Sequence, residues 1–153
     1  MDKIELLRQV LARLREQLAT MQHAAQSSHD AATGSESKSE SKYDTRGLEA
    51  SYLAGAQAEQ CEKLAQAIHC LSGFTPPENT ENSTVQPGCI VEVESAGDIQ
   101  HYFLLPSGGG ITLDYQGYEL ITLTPDTPIY QAILGSKQGD LSENQNFLVL
   151  DIL

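Results

Sequence analysis

Three carboxylates, Glu36, Glu40 and Asp44, recur every four residues, and three cations, Lys38, Lys42 and Arg46, keep the same interval two residues further on. On a helix each set would stack along its own ridge, with the two ridges nearly opposite. No pair of opposite charges falls at i+3 or i+4 between residues 36 and 46. The segment therefore forgoes about 0.2–0.5 kcal/mol per available pair and accepts like-charge repulsion instead. A surface shaped only for helix stability would not be built this way. Carboxylates grouped on one ridge can act through oxygen on a ligand or present a charged edge to a partner. The same tandem repeat, Ser35-Glu36-Ser37-Lys38 then Ser39-Glu40-Ser41-Lys42, also reads as a solvated helix face or a Ser-rich loop, and both readings stay open.

The elements that must position this segment lie on either side of it. Residues 1–25 place Ile4, Leu7, Leu11, Leu14, Leu18, Met21 and Ala25 at alternating spacings of three and four, a heptad seam that packs two helices knobs-into-holes. A returning seam runs back from Leu71 through Ile68, Leu64, Cys61, Gln57, Ala54 and Ala50, while Leu48, Tyr52 and Gly55 fall off its register, so a stutter is expected near its middle. Two seams of similar length joined by a charged tip describe an antiparallel coiled-coil hairpin over 1–72, with the tip near 30–46.

Ser72-Gly73-Phe74-Thr75-Pro76-Pro77 ends the second helix, because Gly permits the stop and consecutive prolines cannot continue the ladder. Residues 73–86 read as a linker, and a new regime covers 87–153. Short strands are expected at 89–93, 101–105, 111–113 and 120–123, with a strong terminal strand over 146–153. Thr127, Pro128 and Gly135 bracket one short helix, as cap, first helical residue and stop. The fold class is α+β, a helical hairpin followed by a small, mostly antiparallel sheet with one helix against it.

Composition sets the partners. Of the 153 residues, 1–71 carry eight Lys/Arg against ten Asp/Glu, whereas 72–153 carry Lys137 alone against eleven acids. The second half is therefore excluded from direct binding to a phosphate backbone, which depends on basic side chains releasing counterions, and specific DNA binding is not expected. A protein partner with a basic surface fits better. Three cysteines, Cys61, Cys70 and Cys89, show no ligand-like spacing and read as small core hydrophobes in a reducing compartment. No apolar stretch approaches 18 residues, so neither a signal peptide nor a membrane span is read, and a cytoplasmic monomer is expected.

Residues 125–140, Pro-Asp-Thr-Pro-Ile-Tyr-Gln-Ala-Ile-Leu-Gly-Ser-Lys-Gln-Gly-Asp, resemble the short helix and turn of the C-terminal domain of the bacterial Gre (GreA/GreB) transcript-cleavage, or transcription elongation, factors. That signature runs Ser-Pro-(apolar)-Gly-x-Ala-(apolar)-(apolar)-Gly-Lys-x-x-Gly-Asp. Pro128, Ile129, Ala132, Ile133, Leu134, Gly135, Lys137, Gly139 and Asp140 fit it, with Ser136 as an insertion, Thr127 in place of Ser and Tyr130 in place of Gly. The order of parts, a coiled-coil hairpin and then an FKBP-like domain, is similar over nearly the whole chain.

The resemblance implies an accessory factor without a complete active site of its own. It would dock on RNA polymerase through the C-terminal domain and insert the hairpin tip into the secondary channel. Tyr130, Gln131 and Lys137 are the implied polymerase-binding positions, with Ile129, Ile133 and Leu134 as core beneath them. In cleavage-active members, tip acids help hold a second Mg²⁺ while the polymerase active centre hydrolyses backtracked RNA. Magnesium is a hard ion that takes oxygen ligands and keeps several waters, and two metals can stabilise both the attacking and the leaving oxygen. The implied tip residues are Glu36, Glu40 and Asp44, with Glu36 and Glu40 as Mg²⁺ ligands only within the polymerase complex and no cofactor in isolation.

The family's tip motif, Asp-Leu-x-Glu-Asn-x-Glu-Tyr, is met incompletely. Anchored without gaps on Tyr43, the positions are Glu36, Ser39 and Lys42; with one residue deleted, Glu40 takes the key acidic place and Ser41 that of Asn. Residues 140–147, Asp-Leu-Ser-Glu-Asn-Gln-Asn-Phe, match the motif more closely by letter, yet they run into the terminal strand and are read as a turn. Two alternatives remain: a secondary-channel regulator that does not cleave, and a coiled-coil or FKBP-like interaction module. His23, His29, His69 and His101 are scattered and read as surface or core residues, residues 107–110 read as a hairpin turn, and a prolyl isomerase pocket would have only Tyr102, Phe103, Tyr115, Tyr118 and Phe147 to line it, with no Trp.

Overall fold

The computed structural model describes residues 2–33, 46–80, 83–142 and 146–153. Glu36, Glu40 and Asp44 lie outside these residues. Two long helices come first, α1 over Lys3–Thr33 and α2 over Arg46–Ser72. They are followed by strands β1 (Ile90–Ser95), β2 (Asp98–Leu104), β3 (Thr112–Tyr115) and β4 (Tyr118–Leu123), helix α3 (Pro128–Ile133), and strands β5 (Leu141–Ser142) and β6 (Phe147–Ile152). The chain divides into two compact units, one holding 14–68 and the other holding 1–13 together with 69–153.

In the first unit the helices α1 and α2 form the helical hairpin. Leu14 is buried at 2 % exposure, and Leu18, Gln57, Cys61 and Leu64 are half-buried, at the spacings the two seams require. The α1 seam needs one correction. Met21 at 37 % and, in the second unit, Ile4 at 52 % are exposed, whereas Leu6 and Val10, off the heptad, are fully buried. The cause is a change of company along one helix. Residues 1–13 belong to the sheet-bearing unit, so their apolar face is the broader stripe of Leu6, Leu7 and Val10, as on a helix packed into a globular core.

The sheet has the order β3-β4-β2-β1-β6-β5. All its pairings are antiparallel except β2 with β4, where His101 lies opposite Leu120 and Phe103 opposite Thr122. The single parallel pair qualifies the expected antiparallel sheet and has a direct cause. The chain leaving β2 passes β4 to form β3 at the edge, then turns back into the gap through residues 116 and 117. Residues 107–110 are thus a crossover and not a hairpin turn. Thr122 holds this crossover, its hydroxyl donating to Gly108 O and accepting from Ile111 N, both at 2.9 Å. The short β5 pairs with the start of β6, so Leu141 and Ser142 are a strand where only a turn was expected.

Alternation divides the sheet into two faces. Val91, Val93, Tyr102, Leu104, Leu123 and Val149 form a core with Tyr130 and Ile133 of α3 and with Val85. On the opposite face Ile90, Phe103, Leu113 and Leu120 are buried, while Ile99 and Tyr118 at the other end are more than half exposed.

Candidate functional site

The motif segment folds as one connected unit. Pro128 occupies the first turn of α3, where a missing N–H costs nothing. Thr127 stands at the cap position, but its hydroxyl turns back to Thr124 O at 2.8 Å instead of capping forward. The N-terminal loop is tied down further by Gln131 Nε2 donating to Pro125 O at 2.8 Å and by Thr124 Oγ1 donating to Asp126 Oδ1. The Thr124 hydrogen bond holds the Asp126 carboxyl below its ordinary value.

After α3 the chain must reverse toward β6. Gly135 and Gly139 take φ of 80° and 87°, a region that side-chain-bearing residues seldom enter. Gly135 N donates to Val85 O and Val85 N to Ser136 O, both at 2.8 Å, which pins the start of the turn. Asp140 closes it: its carboxylate accepts from Lys137 N at 2.7 Å, and its own N–H donates to Lys137 O at 3.0 Å. Gly139 N to Val149 O and Val149 N to Asp140 O then join the turn to the terminal strand. Each of these motif positions therefore has a local structural task.

The three positions assigned to polymerase contact separate by exposure. Gln131 and Lys137 are exposed, while Tyr130 is 2 % exposed and sits in the core with Ile133. Leu134, expected in the core, is 48 % exposed. The expected places of Tyr130 and Leu134 are exchanged, for a geometric reason. Residues 130 and 133 lie three apart on the inner side of a six-residue helix, and Leu134 leaves it with ψ of 129°, which carries its side chain outward. Burial raises the Tyr130 hydroxyl above its ordinary value.

Lys137 also lines a cleft of about 880 Å³ with Lys3, Asn79, Tyr115 and Asp151. Lys3 is held there by donating to Pro77 O at 2.6 Å. Burial pulls its ammonium below the ordinary 10.5, against the raising influence of Cys89, Asp2 and Glu78. Acids and lysines share this cleft, so its charge favours no single ligand.

His101 was set aside in the sequence as one scattered histidine, and the structure gives it company. Its Nε2 lies 3.3 Å from Glu92 Oε2, and its ring stacks on Tyr118. Strand pairing places Glu92 opposite His101, a register that a single strand's sequence does not reveal. Among the described residues no group of three His, Cys, Asp or Glu could hold a metal ion, and no helix is long and apolar enough to cross a membrane.

No family model and no curated protein matches the chain. Solved structures similar to it include GreA factor homolog 1 (Gfh1) of Thermus thermophilus, with 21 % identity over 94 % of each chain and a TM-score of 0.37. A structure described as the transcription factor Gfh1 shares 23 % identity, covering 97 % of this chain and 91 % of its own, with a TM-score of 0.37. Gfh1 of Thermus aquaticus shares 20 % over 92 % of each chain, again with a TM-score of 0.37. Likeness at this level does not decide function, and the α+β fold rests on the helices and strand pairings of the chain itself.

Proposed function

We propose that the chain is an accessory factor of RNA polymerase, which docks through the sheet-bearing unit and delivers the hairpin tip, near residues 30–46, into the polymerase secondary channel. The observation that carries this reading is the α3 turn. Residues 125–140, which resemble the Gre signature, form a single hydrogen-bonded unit that leaves Gln131, Leu134 and Lys137 at the surface. The acidity of 72–153 suits a basic protein surface and repels nucleic acid.

At the tip, Glu36 and Glu40 would offer carboxylate oxygens of the kind a hard Mg²⁺ takes, with the polymerase and water completing the set. Bound there, such an ion would stabilise charge on the oxygens of the scissile phosphate. Were the segment helical, Asp44 would fall on the same ridge and add to its field. A second reading, a secondary-channel regulator that does not cleave, is favoured by Ser39 and Lys42, which stand where the family motif has acids.

A stalled, backtracked elongation complex mixed with the protein and Mg²⁺ separates these readings. Shortening of the RNA from its 3′ end supports a cleavage factor. Saturable binding that alters elongation without shortening supports the regulator. Absence of binding to polymerase overturns both and leaves the interaction-module reading.

A further inference from the structure

The sheet ends on one side with β3, an edge strand whose outer main-chain groups face no other strand. β3 and β4 are joined by Gln116 and Gly117 at φ of 55° and 85°, the two-residue turn that makes Tyr115 and Tyr118 a hydrogen-bonded pair. Pairs alternate along an antiparallel ladder, so Leu113 with Leu120 is bonded again, and Thr122 N donates to Ile111 O at 2.9 Å in the same phase. The N–H and C=O groups of Thr112 and Asp114 therefore point away from β4. Among the described residues no main-chain group answers them.

The side chains at this edge carry a second signal. Asp114 and Glu119 lie directly opposite each other in a non-hydrogen-bonded pair, where cross-strand side chains come closest and like charges are destabilising. Both are exposed. The Asp114 carboxylate accepts from Gly117 N at 3.3 Å, and neither acid has an ion pair among the described residues. No Lys or Arg occurs between residues 73 and 136 to offset them.

We infer that β3 accepts an extended segment of a protein partner as an added antiparallel strand, with a basic residue of that segment beside Asp114 and Glu119. An extended peptide presents donors and acceptors at the spacing of Thr112 and Asp114, whereas nucleic acid offers no such ladder. Residues opposite one another in an antiparallel pair share a face, so the partner residue that bonds the Asp114 main chain places its side chain beside the Asp114 carboxylate. Its neighbours fall on the other face, with Leu113 and Tyr115. Charged side chains on an edge discourage pairing, and here the charge discriminates. A second copy of β3 would set acids against acids, while a basic strand relieves the repulsion already present. The opposite edge, β5, spans two residues and offers less backbone to pair. β3 lies outside the α3 turn, so a strand added here is separate from docking there.

Nuclear magnetic resonance titration of the full chain tests this with acetyl-Thr-Val-Arg-Val-Thr-amide and two controls. One control carries glutamate in place of arginine; the other is N-methylated at the arginine main-chain nitrogen, the donor that would bond to Asp114 O. The arginine peptide should give saturable shifts at Thr112 and Asp114, slow the hydrogen exchange of both amides, and bind about fivefold tighter than the glutamate peptide. The N-methylated peptide keeps the charge and should lose the protection. Asp114→Asn, which keeps an oxygen for Gly117 N, should reduce the preference for arginine over glutamate, with its amide spectrum reporting an intact fold. Equal binding of the arginine and glutamate peptides overturns the inference. So do equal protection by the arginine and N-methylated peptides, shifts centred on Leu141 of β5, or no saturable shift up to about 10 mM peptide, where a short added strand of millimolar affinity would bind.

Discussion

The imidazole of His101 lies against the phenol ring of Tyr118, with ring centroids 4.8 Å apart and planes 27° from parallel. The contact crosses the parallel junction of β2 and β4, where His101 is opposite Leu120 and Tyr118 reaches in from two residues earlier. It joins an almost buried residue to a largely exposed one. Stacked aromatic pairs contribute about 0.5–1.5 kcal/mol beyond their buried area. A double-mutant cycle with His101→Ala and Tyr118→Ala in urea should return a coupling in that range. A coupling under about 0.3 kcal/mol, within ordinary additivity, would reduce the stack to proximity.

Thr122 is 1 % exposed and is the tie between the crossover and β4. Thr122→Val keeps the shape and removes the hydroxyl, so Ile111 N loses its side-chain acceptor and Gly108 O a donor. Each buried group left without its partner costs about 1–3 kcal/mol. The unfolding free energy should fall by an amount in that range, read as a lower urea midpoint with the slope unchanged, and Thr122→Ser should recover most of it. A valine variant as stable as the parent would mean that water replaces both bonds.

Alkaline pH should loosen the sheet-bearing unit through two buried phenols. Burial raises both Tyr102 and Tyr130 above the ordinary 10.0, and the Tyr102 hydroxyl donates to Gln100 Oε1. Above about 10 an unfolded tyrosine has lost its proton while the folded one keeps it. The native state then binds more protons, and stability falls as pH rises. Lys3 acts with the opposite sign. Its folded value lies below 10.5, so the unfolded state binds more protons there and stability rises with pH through that lower window. Tyr102→Phe combined with Tyr130→Phe should flatten the alkaline limb of a urea-midpoint titration from pH 9 to about 11.5. An unchanged limb would assign it to other groups.

What the sequence discloses and what it hides divide along physical lines. Leu14, Leu18, Gln57, Cys61 and Leu64 were legible because a helix packed on one neighbour obeys a single period. Leu6 and Val10 were hidden because the same helix changes neighbours after residue 13, and a heptad cannot express two faces. The five main strands were visible as β-branched and aromatic runs between turn residues. Their order was not, since nothing in Leu104 or Leu123 states that β2 and β4 run parallel. Tyr130 and Leu134 exchanged places because the sense of rotation of a six-residue helix is set by the sheet beneath it. The pairing of His101 with Glu92 depends on register alone.

The final prediction joins the α3 turn to the tip and separates docking from chemistry. Gln131 and Lys137 are exposed, and Asp140 binds the Lys137 backbone and not its ammonium. Lys137→Glu can therefore reverse the surface charge without opening the turn, whereas Asp140→Ala removes the acceptor of Lys137 N. If this face meets polymerase, Lys137→Glu together with Gln131→Ala should weaken binding about tenfold or more, while the urea midpoint falls only by the small loss of the exposed Gln131–Pro125 hydrogen bond. Glu40→Ala should do the reverse, leaving binding to the polymerase intact and abolishing any Mg²⁺-dependent RNA cleavage. Cleavage that survives Glu40→Ala would remove that carboxylate from the mechanism. Unchanged affinity in the double variant would move the docking face away from α3 altogether, because one rim contact alters affinity modestly but a lost face does not go unnoticed.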